Sequence, residues 1–321
     1  MTDPPPAETQ PPAGRRYVLI SPCRNEADHM RRTLDSVIAQ TVRPALWVVV
    51  DDGSTDATPE ILADHAARHP WIRVVAKPDR GHRAVGPGVI EAFYAGLDTV
   101  DLAGFDYLCK LDLDLDLPPA YFETLMRHME ADPRLGTCSG KPWFRTASGA
   151  WVSEKCGDEA SVGMTKFYRV TCFEAIGGFV REVMWDAIDC HKARQLGWVA
   201  RSRDDPEIRF EHLRPMGSSE KGVLTGRARH GFGQYYMRSD PLYFLATALY
   251  RMTRPPRVVG GLAMLWGYAG AWLAGRERMA DPDLAALIRR YQRRALVVGK
   301  RRAIAEIEAE RAGCRAGGAG A

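Results

Sequence analysis

Leucine and aspartate alternate along the run KLDLDLDLPP, which spans residues 110–119. If this run is extended, Asp112, Asp114 and Asp116 lie on one face of a strand. Three neighbouring carboxylates repel one another and are costly to desolvate, so the arrangement needs a compensating cation. Mg²⁺ or Mn²⁺ fits best, because these hard ions bind carboxylate oxygens and keep coordination positions open for the phosphates of a substrate. The run therefore predicts a metal site at the end of a strand.

Two other structures are compatible with the same acidic run. One is a solvated edge strand, since charged runs usually lie on the surface. The other is an EF-hand calcium loop, whose acidic positions are matched by the three aspartates and Glu123. Leu117 stands where that loop needs a glycine for its sharp turn, and two prolines follow it, which makes the EF-hand the weaker alternative.

Short apolar runs alternate with amphipathic stretches over residues 16–111, a pattern typical of strands separated by helices. Such a chain forms right-handed crossovers, so the predicted fold is α/β, with a Rossmann-like, mostly parallel sheet flanked by helices. Ligands bind to such sheets at the carboxyl ends of the strands. The polar residues that follow the first two predicted strands are Arg24, Asn25, Glu26, Asp51 and Asp52. For the acidic run DDGSTD, helix capping is the structural alternative.

The composition of the 321-residue chain argues against several classes of protein. The 44 Lys and Arg residues only slightly outnumber the 40 Asp and Glu residues, and no basic groove interleaved with aromatic residues is visible, so no nucleic-acid partner is expected. Seven cysteines without a CxxC pair argue against a disulfide framework and a zinc site, and suit a reducing cytoplasm. Residues 1–14 are rich in proline and are predicted to form a disordered tail.

The rest of the chain is predicted to divide into an α/β domain over residues 15–235 and a helical region over residues 236–321. Residues 258–275 carry no charge, and basic residues flank them on both sides. Trp266, Tyr268 and Trp272 are of the type that prefers membrane interfaces. A helix in the cytoplasmic leaflet is therefore favoured, which predicts a peripheral or monotopic protein at the inner face of the cell membrane. Internal packing or a homodimer interface is the alternative.

The segment FEHLRPMGSSEKG combines one histidine, basic residues and small residues, and suits a mobile lid. His212 is a candidate metal ligand, although a lone histidine is more often structural. Arg214 is a candidate for bidentate pairing with phosphate oxygens. Arg83, in the loop DRGHRAVGPG, is a weaker candidate for the same substrate, and an ordinary loop arginine is the alternative there.

Four motifs, in this order, resemble those of family 2 glycosyltransferases with the GT-A fold: SPCRNEADHMRRTLDSVIAQ, VVVDDGSTD, KLDLDLDLPPAYFE and IGGFVREVMWDAID. The resemblance covers residues 16–217 and implies transfer of a sugar from a nucleotide-sugar donor, with inversion at the anomeric carbon. It implies that Asp52, with Asp51 beside it, binds the nucleotide base. It also implies that Asp112 and Asp114 bind the metal and the diphosphate, and Asp116 is a candidate for a further metal contact.

By the same resemblance, Asp186 in WDAID corresponds to the catalytic base, which removes the proton of the acceptor hydroxyl. Trp185 precedes it where the family more often has a glutamate. An N-terminal helix cap is the structural alternative for this aspartate and for Asp189. The expected metal ligands are Asp112, Asp114 and His212. The residues expected to bind the nucleotide sugar are Pro22, Arg24, Asn25, Glu26, Asp51, Asp52, Arg83, Asp112 and Arg214.

The leading hypothesis is a metal-dependent inverting glycosyltransferase that uses Mg²⁺ or Mn²⁺ and transfers a sugar to a polysaccharide or a lipid-linked glycan. A synthase that transfers the sugar to polyprenyl phosphate is the alternative within the same fold. A sugar nucleotidyltransferase would need a glycine-rich, basic phosphate loop, and SPCRNEAD is a poor match to one. A noncatalytic sugar-nucleotide-binding protein would explain neither the acidic run nor Asp186.

Overall fold

The structure is a computed structural model, and it describes residues 14–81, 86–214 and 222–315. Eleven strands are present in these ranges: Tyr17–Cys23 (β1), Leu46–Asp51 (β2), Ile72–Ala76 (β3), Tyr107–Leu111 (β4), Leu115–Asp116 (β5), Leu135–Ser139 (β6), Pro142–Arg145 (β7), Trp151–Ser153 (β8), Thr165–Arg169 (β9), Val199–Ser202 (β10) and Phe210–His212 (β11). The predicted tail, residues 1–14, lies outside the described residues except for Gly14.

Eleven α-helices connect or follow these strands within the same ranges: Met30–Ile38 (α1), Thr58–Arg68 (α2), Pro87–Leu97 (α3), Tyr121–Ala131 (α4), Val170–Ala175 (α5), Trp185–Gln195 (α6), Gly222–Tyr236 (α7), Pro241–Met252 (α8), Val259–Leu273 (α9), Pro282–Val298 (α10) and Lys300–Arg311 (α11). Short 3₁₀ helices cover Leu102–Gly104, Pro206–Ile208 and Ala312–Arg315.

The central sheet has seven strands in the order β10-β6-β9-β4-β1-β2-β3. All neighbouring pairs are parallel except those of β9, which runs antiparallel to both β4 and β6. The predicted mostly parallel α/β fold is therefore confirmed, and so is the helical C-terminal region. A smaller sheet has the strand order β5-β11-β7-β8, and its strand β5 follows β4 directly in the sequence.

Both faces of the central sheet are covered, as expected for parallel strands. Along β1, Tyr17 and Leu19 belong to one apolar cluster, whereas Val18 and Ile20 belong to another. This division follows from the alternation of side chains along a strand. Burial on both faces explains why the first strands read as continuous apolar runs, and it leaves only their ends for polar residues.

The prediction of one extended strand through the acidic run is wrong. Strand β4 ends at Leu111, and the amide of Asp112 donates to the backbone oxygen of Met164 at 2.8 Å. Leu115 and Asp116 then pair with β11 in the smaller sheet. The Asp116 carboxylate contacts Arg32 at 2.5 Å and does not line the cavity described below, so the three aspartates do not share one face.

Helix α9 packs closely against α7 and α8. A Cβ added to Gly267 would lie 1.9 Å from the backbone oxygen of Ala228, and one added to Gly231 would lie 1.9 Å from that of Met264. Only glycine permits this approach of two backbones, so the small residues of α9 serve internal packing. Helix α10 packs on α6 through a cluster that includes Ile188. None of the helices in the described ranges has the length and apolar character needed to cross a bilayer.

Candidate active site

A cavity of about 800 Å³ opens at the carboxyl ends of β1, β2 and β4. Its walls come from the segments after these strands, from the start of α3 and α6, from β11 and from α7 and α11. The residues expected from the sequence that line it are Pro22, Arg24, Glu26, Asp52, Asp112, Asp114, Asp186, His212 and Arg214. Asn25 and Asp51 are not among the lining residues, and Arg83 lies outside the described residues.

Asn25 and Asp51 shape the turns beside the cavity. Asn25 has a φ of 53°, and its side-chain oxygen accepts a hydrogen bond from the Thr55 amide at 2.8 Å. The carboxylate of Asp51 accepts one from the Ser54 amide at 3.0 Å. Asparagine tolerates this left-handed conformation better than most residues, which accounts for its presence at the turn.

Asp52 is held by two cations at one side of the cavity. Arg80 donates to both carboxylate oxygens, at 2.6 Å and 2.5 Å, and the Lys77 ammonium lies 3.1 Å away. Arg24 donates to the backbone oxygen of Asp52 and to the carboxylate of Asp79. The side chain that the family resemblance assigns to the nucleotide base is therefore paired before any ligand binds, and a base must compete with these cations for it.

Lys110, inside strand β4, neutralises Asp112. Its buried ammonium donates to the Asp112 carboxylate and, at 3.1 Å, to the backbone oxygen of Gly163. Burial raises the pKa of Asp112, and Lys110 opposes this effect.

Asp114, directly before β5, lies beside His212, the last residue of β11. The His212 Nε2 atom lies 3.7 Å from Asp114 Oδ2, and its Nδ1 atom lies 3.0 Å from Glu154 Oε1. Burial alone would lower the His212 pKa, but the contacts with both carboxylates raise it to about 9. Burial would raise the Asp114 pKa, whereas His212 and Arg214 together bring it below its ordinary value. The pair is therefore an imidazolium beside a carboxylate.

The arrangement of these side chains shows which of their atoms could bind a metal ion. Over residues 14–81, 86–214 and 222–315, no three His, Cys, Asp or Glu side chains converge in a metal-holding group. However, Asp114 Oδ1 is buried and has no hydrogen-bond partner, although a buried carboxylate oxygen normally has one. A divalent cation would satisfy this atom, and His212 Nε2 could join it after losing its proton. Asp114 and His212 therefore fit a metal better than Asp112, whose oxygen Lys110 holds.

Asp186 lies in the first turn of α6 and is positioned by buried groups of the sheet. Met184, with a φ of 63°, turns the chain into the helix. No side-chain hydrogen bond caps the start of the helix, although Asp186 is an acid in its first turn, as the helix-cap alternative expects. Lys166 donates to the backbone oxygen of Asp186 at 2.7 Å and to the Asp189 carboxylate. A Cβ at Gly163 would lie 2.9 Å from Asp186 Oδ2, so glycine leaves room for this carboxylate.

The ring of Trp185 lies near the ammonium groups of two buried lysines. Lys110 and Lys166 are direct neighbours across β4 and β9, and their ammonium groups lie 5.2 Å and 5.8 Å from the Trp185 ring centre. Cations at this distance from an indole ring are attracted to its face. At the position where the family more often has a glutamate, this chain has Trp185. Its ring lies near Lys110, the partner of Asp112, and near Lys166, which donates to the first turn of α6.

Several lining residues were missed by the sequence interpretation. Lys110 carried a usable signal, because a lysine within a buried strand next to acidic residues needs a partner. Arg229 and His230 come from α7, and Lys300 comes from α11. No local pattern indicates that these helices reach the cavity, because their position depends on packing between distant segments.

The family model for glycosyl transferase family 2 matches residues 18–181, just over half of the chain. The match includes the ends of β1, β2 and β4 and stops before Asp186, His212 and the C-terminal helices.

Curated relatives match part of the chain, and two of them serve as examples. The uncharacterised glycosyltransferase YibD of Escherichia coli K12 is 28% identical over 136 residues, which are 42% of this chain and 37% of that protein. Poly-β-1,6-N-acetyl-D-glucosamine synthase of Staphylococcus aureus MSSA476 is 29% identical over 129 residues, which are 39% of this chain and 28% of that enzyme. The matches thus span only 28% to 37% of the length of these relatives.

Among solved structures, GalNAc-T7 with UDP, GalNAc and Mn²⁺ has a TM-score of 0.52 at 15% identity, covering 82% of this chain and 55% of that chain. At this identity, the likeness shows a shared fold alone. Mannosyltransferase PcManGT from Pyrobaculum calidifontis, in complex with GDP-Man and Mn²⁺, has a TM-score of 0.48 at 20% identity, covering 96% of this chain and 87% of that chain. With the family match over residues 18–181, the chain belongs to glycosyl transferase family 2 and has the GT-A fold.

Proposed function

We propose that the protein is a metal-dependent inverting glycosyltransferase that transfers a sugar from a nucleotide-sugar donor to a polysaccharide or lipid-linked acceptor. One observation carries the proposal: a single cavity contains Asp52, the pair Asp112 and Asp114, and Asp186, which come from three separate segments of the chain. A solvated acidic strand or a set of helix caps would not require these carboxylates to converge. The relative named a poly-β-1,6-N-acetyl-D-glucosamine synthase supports a polysaccharide product.

The donor would bind with its base toward Asp52 and its diphosphate toward Asp114 and Arg214. Asp114 and His212 would hold Mg²⁺ or Mn²⁺, which acts as a Lewis acid on the diphosphate oxygens when it is bound. Arg214 contacts Glu26 and lies 3.6 Å from Asp114, so its guanidinium is already aimed at this region. The Mn²⁺ in the GalNAc-T7 structure supports a metal of this kind.

In the transfer, the acceptor hydroxyl oxygen forms a bond to the anomeric carbon while the bond from that carbon to the diphosphate oxygen breaks. The leaving nucleoside diphosphate takes the electron pair of that bond, and Asp186 accepts the hydroxyl proton. A positioned general base of this kind contributes roughly a hundredfold to ten-thousandfold to the rate. Lys166 and Trp185 do not touch the reacting atoms in this scheme and instead hold the start of α6 in place.

The exposed face of α8 and α9 supports a second part of the proposal, attachment to the inner face of the cell membrane. The large apolar side chains exposed on or beside these helices are Leu242, Leu245, Leu249, Tyr250, Val258, Val259, Leu262, Trp266, Trp272 and Leu273. Exposed Arg254 and Arg257 lie between the two helices, where they suit anionic lipid headgroups. A patch of this size is unusual on a monomer, and a second copy of the chain is the alternative occupant.

The catalytic proposal can be tested with a panel of nucleotide sugars, incubated with the protein and a membrane extract in the presence of Mg²⁺, Mn²⁺ or a chelator. We expect release of nucleoside diphosphate from at least one donor, dependent on the metal and on the extract. Asp114→Asn should abolish most of this release, whereas Asp98→Asn, an exposed aspartate away from the cavity, should not change it. Full activity in the chelator would contradict the role given to Asp114.

A further inference from the structure

One part of the cavity wall is cationic and comes entirely from the C-terminal helices. Arg229 and His230 of α7 and Lys300, the first residue of α11, line the same cavity as Asp186. Arg227 and Arg251 lie close behind them, since their charges act on His230, and Arg251 also acts on Arg227. We call these five residues the C-terminal cationic cluster.

The three arginines of the cluster differ from its lysine in their acidic neighbours. Among the described residues, no ion pair joins a carboxylate to Arg227, Arg229 or Arg251. Lys300 has one acidic neighbour, Glu159, at 3.6 Å. Burial lowers the pKa of His230 to about 4, and the nearby arginines add to this effect, so the imidazole is neutral. Partly buried cations without counter-ions are costly, and an anionic ligand would offset that cost.

The topology separates one end of this cluster from the proposed donor site. Asp52 follows β2, near one edge of the central sheet, and Asp112 follows β4 at its centre. Helix α11, which begins with Lys300, lies at the other side, because Glu308 on it contacts Arg194 of α6 and Arg201 of β10, the opposite edge strand. A donor with its base at Asp52 and its sugar toward Asp186 would therefore leave the Lys300 end of the cavity to the acceptor.

We propose that the C-terminal cationic cluster binds the phosphate of a lipid-linked acceptor, with Arg229 as its principal contact. This inference rests on the proposed function and names the class of acceptor. The guanidinium of Arg229 can bind phosphate oxygens in a bidentate manner, and neutral His230 can donate one further hydrogen bond. A lipid chain that leaves the cavity along α7 would contact Val223 and Leu224, which are exposed at the start of this helix and do not line the cavity.

The test uses the full chain and measures binding by calorimetry with three probes: farnesyl phosphate, farnesol and inorganic phosphate. We expect farnesyl phosphate to bind at least about tenfold more tightly than either other probe, since a hydrogen bond between charged groups and the apolar chain both contribute. Equal affinity for farnesol would rule out phosphate recognition. Equal affinity for inorganic phosphate would rule out a lipid ligand.

Substitutions then locate the site. Arg229→Gln should weaken farnesyl phosphate binding by roughly tenfold to a hundredfold, and Arg229→Lys, which keeps the charge but not the bidentate geometry, should weaken it less. Arg31→Gln removes the same charge from an exposed position on α1, outside the cavity, and should have no effect. If Arg214→Gln weakens binding while Arg229→Gln does not, the probe occupies the donor diphosphate site and the inference is wrong.

These measurements do not depend on turnover, so they separate the inference from the proposed function. If the protein binds farnesyl phosphate through Arg229 but releases no nucleoside diphosphate from any donor, the proposed function fails and the lipid phosphate site stands. If it turns over nucleotide sugars while Arg229→Gln leaves farnesyl phosphate binding unchanged, the inference fails and the proposed function stands.

Discussion

The two sides of the cavity differ in the ion pairing of their arginines. On the side formed by the strand ends, each cation has an acidic partner: Arg80 pairs with Asp52, and Lys110 pairs with Asp112. On the side formed by the C-terminal helices, Arg229 has no carboxylate within ion-pair distance among the described residues. The paired side must exchange partners when a ligand binds, whereas the cationic side can accept an anion directly. The difference indicates that the two sides bind different ligands.

Asp186 stands where the two sides meet, and its substitution should have the largest effect. We expect Asp186→Asn to lower kcat by roughly a hundredfold to ten-thousandfold, because the neutral amide cannot accept the hydroxyl proton. The dissociation constant of the donor should stay nearly constant, since donor contacts lie on the paired side. Single-turnover kinetics and calorimetry measure the two quantities.

Two results would break this division. An equal loss of donor affinity would move Asp186 to the donor side. A small effect on kcat, together with a labelled lipid product, would favour transfer to the phosphate oxygen of polyprenyl phosphate, which is already an anion and needs no general base. Asp98→Asn serves as the matched control for loss of one exposed carboxylate.

Substitution of Lys166, the buried lysine of β9, tests whether an ion pair on the strand side stabilises the fold. Lys166 and Asp189 are both fully buried; burial lowers the lysine pKa, but Asp189, together with Cys190 and Asp186, raises it by more. Lys166→Met leaves the Asp189 carboxylate buried without its cation, so we expect a loss of about 3 to 5 kcal/mol in the free energy of unfolding. Urea denaturation measures this loss.

The double variant Lys166→Met with Asp189→Leu provides the control for that substitution. Removing both charges should recover much of the lost stability, because a buried ion pair often contributes little more than apolar residues of similar volume. A single variant as stable as the wild type would show that the pair does not hold the start of α6.

The smallest effect on folding is expected at the membrane-facing helices. Trp266 is 76% exposed, so Trp266→Ala should change the free energy of unfolding by no more than about 0.5 kcal/mol. The same substitution should reduce cosedimentation with vesicles that contain anionic lipid several-fold. Unchanged cosedimentation, with dimers that dissociate in the variant, would assign this face to a second copy of the chain.

The sequence predicted the paired side of the cavity much better than the cationic side. Arg24 and Asp52 follow strands whose apolar runs are local signals, and a parallel sheet brings such strand ends together. The acidic run was predicted less well, because Leu115 and Asp116 pair with β11, a strand that lies far along the chain. Alternating residues could not reveal this non-local pairing.

Arg229 and Lys300 lay beyond prediction for a related reason. Their place in the cavity depends on the close packing of α7 on α9, which requires glycine at Gly231 and Gly267, and on the contacts of α11 with α6. A pattern of small residues indicates that a helix packs closely, but it does not identify the partner helix. On α9, Gly267 meets Ala228 of α7 and Gly261 meets Ala248 of α8, and the sequence pattern identified neither partner.

A structure of the protein with a nucleotide-sugar donor and Mn²⁺ would show directly in which direction the donor lies in the cavity. We expect the base beside Asp52, the diphosphate and the ion beside Asp114 and His212, and the sugar beside Asp186. Electron density for the diphosphate at Arg229 and Lys300, with Asp114 unoccupied, would contradict it.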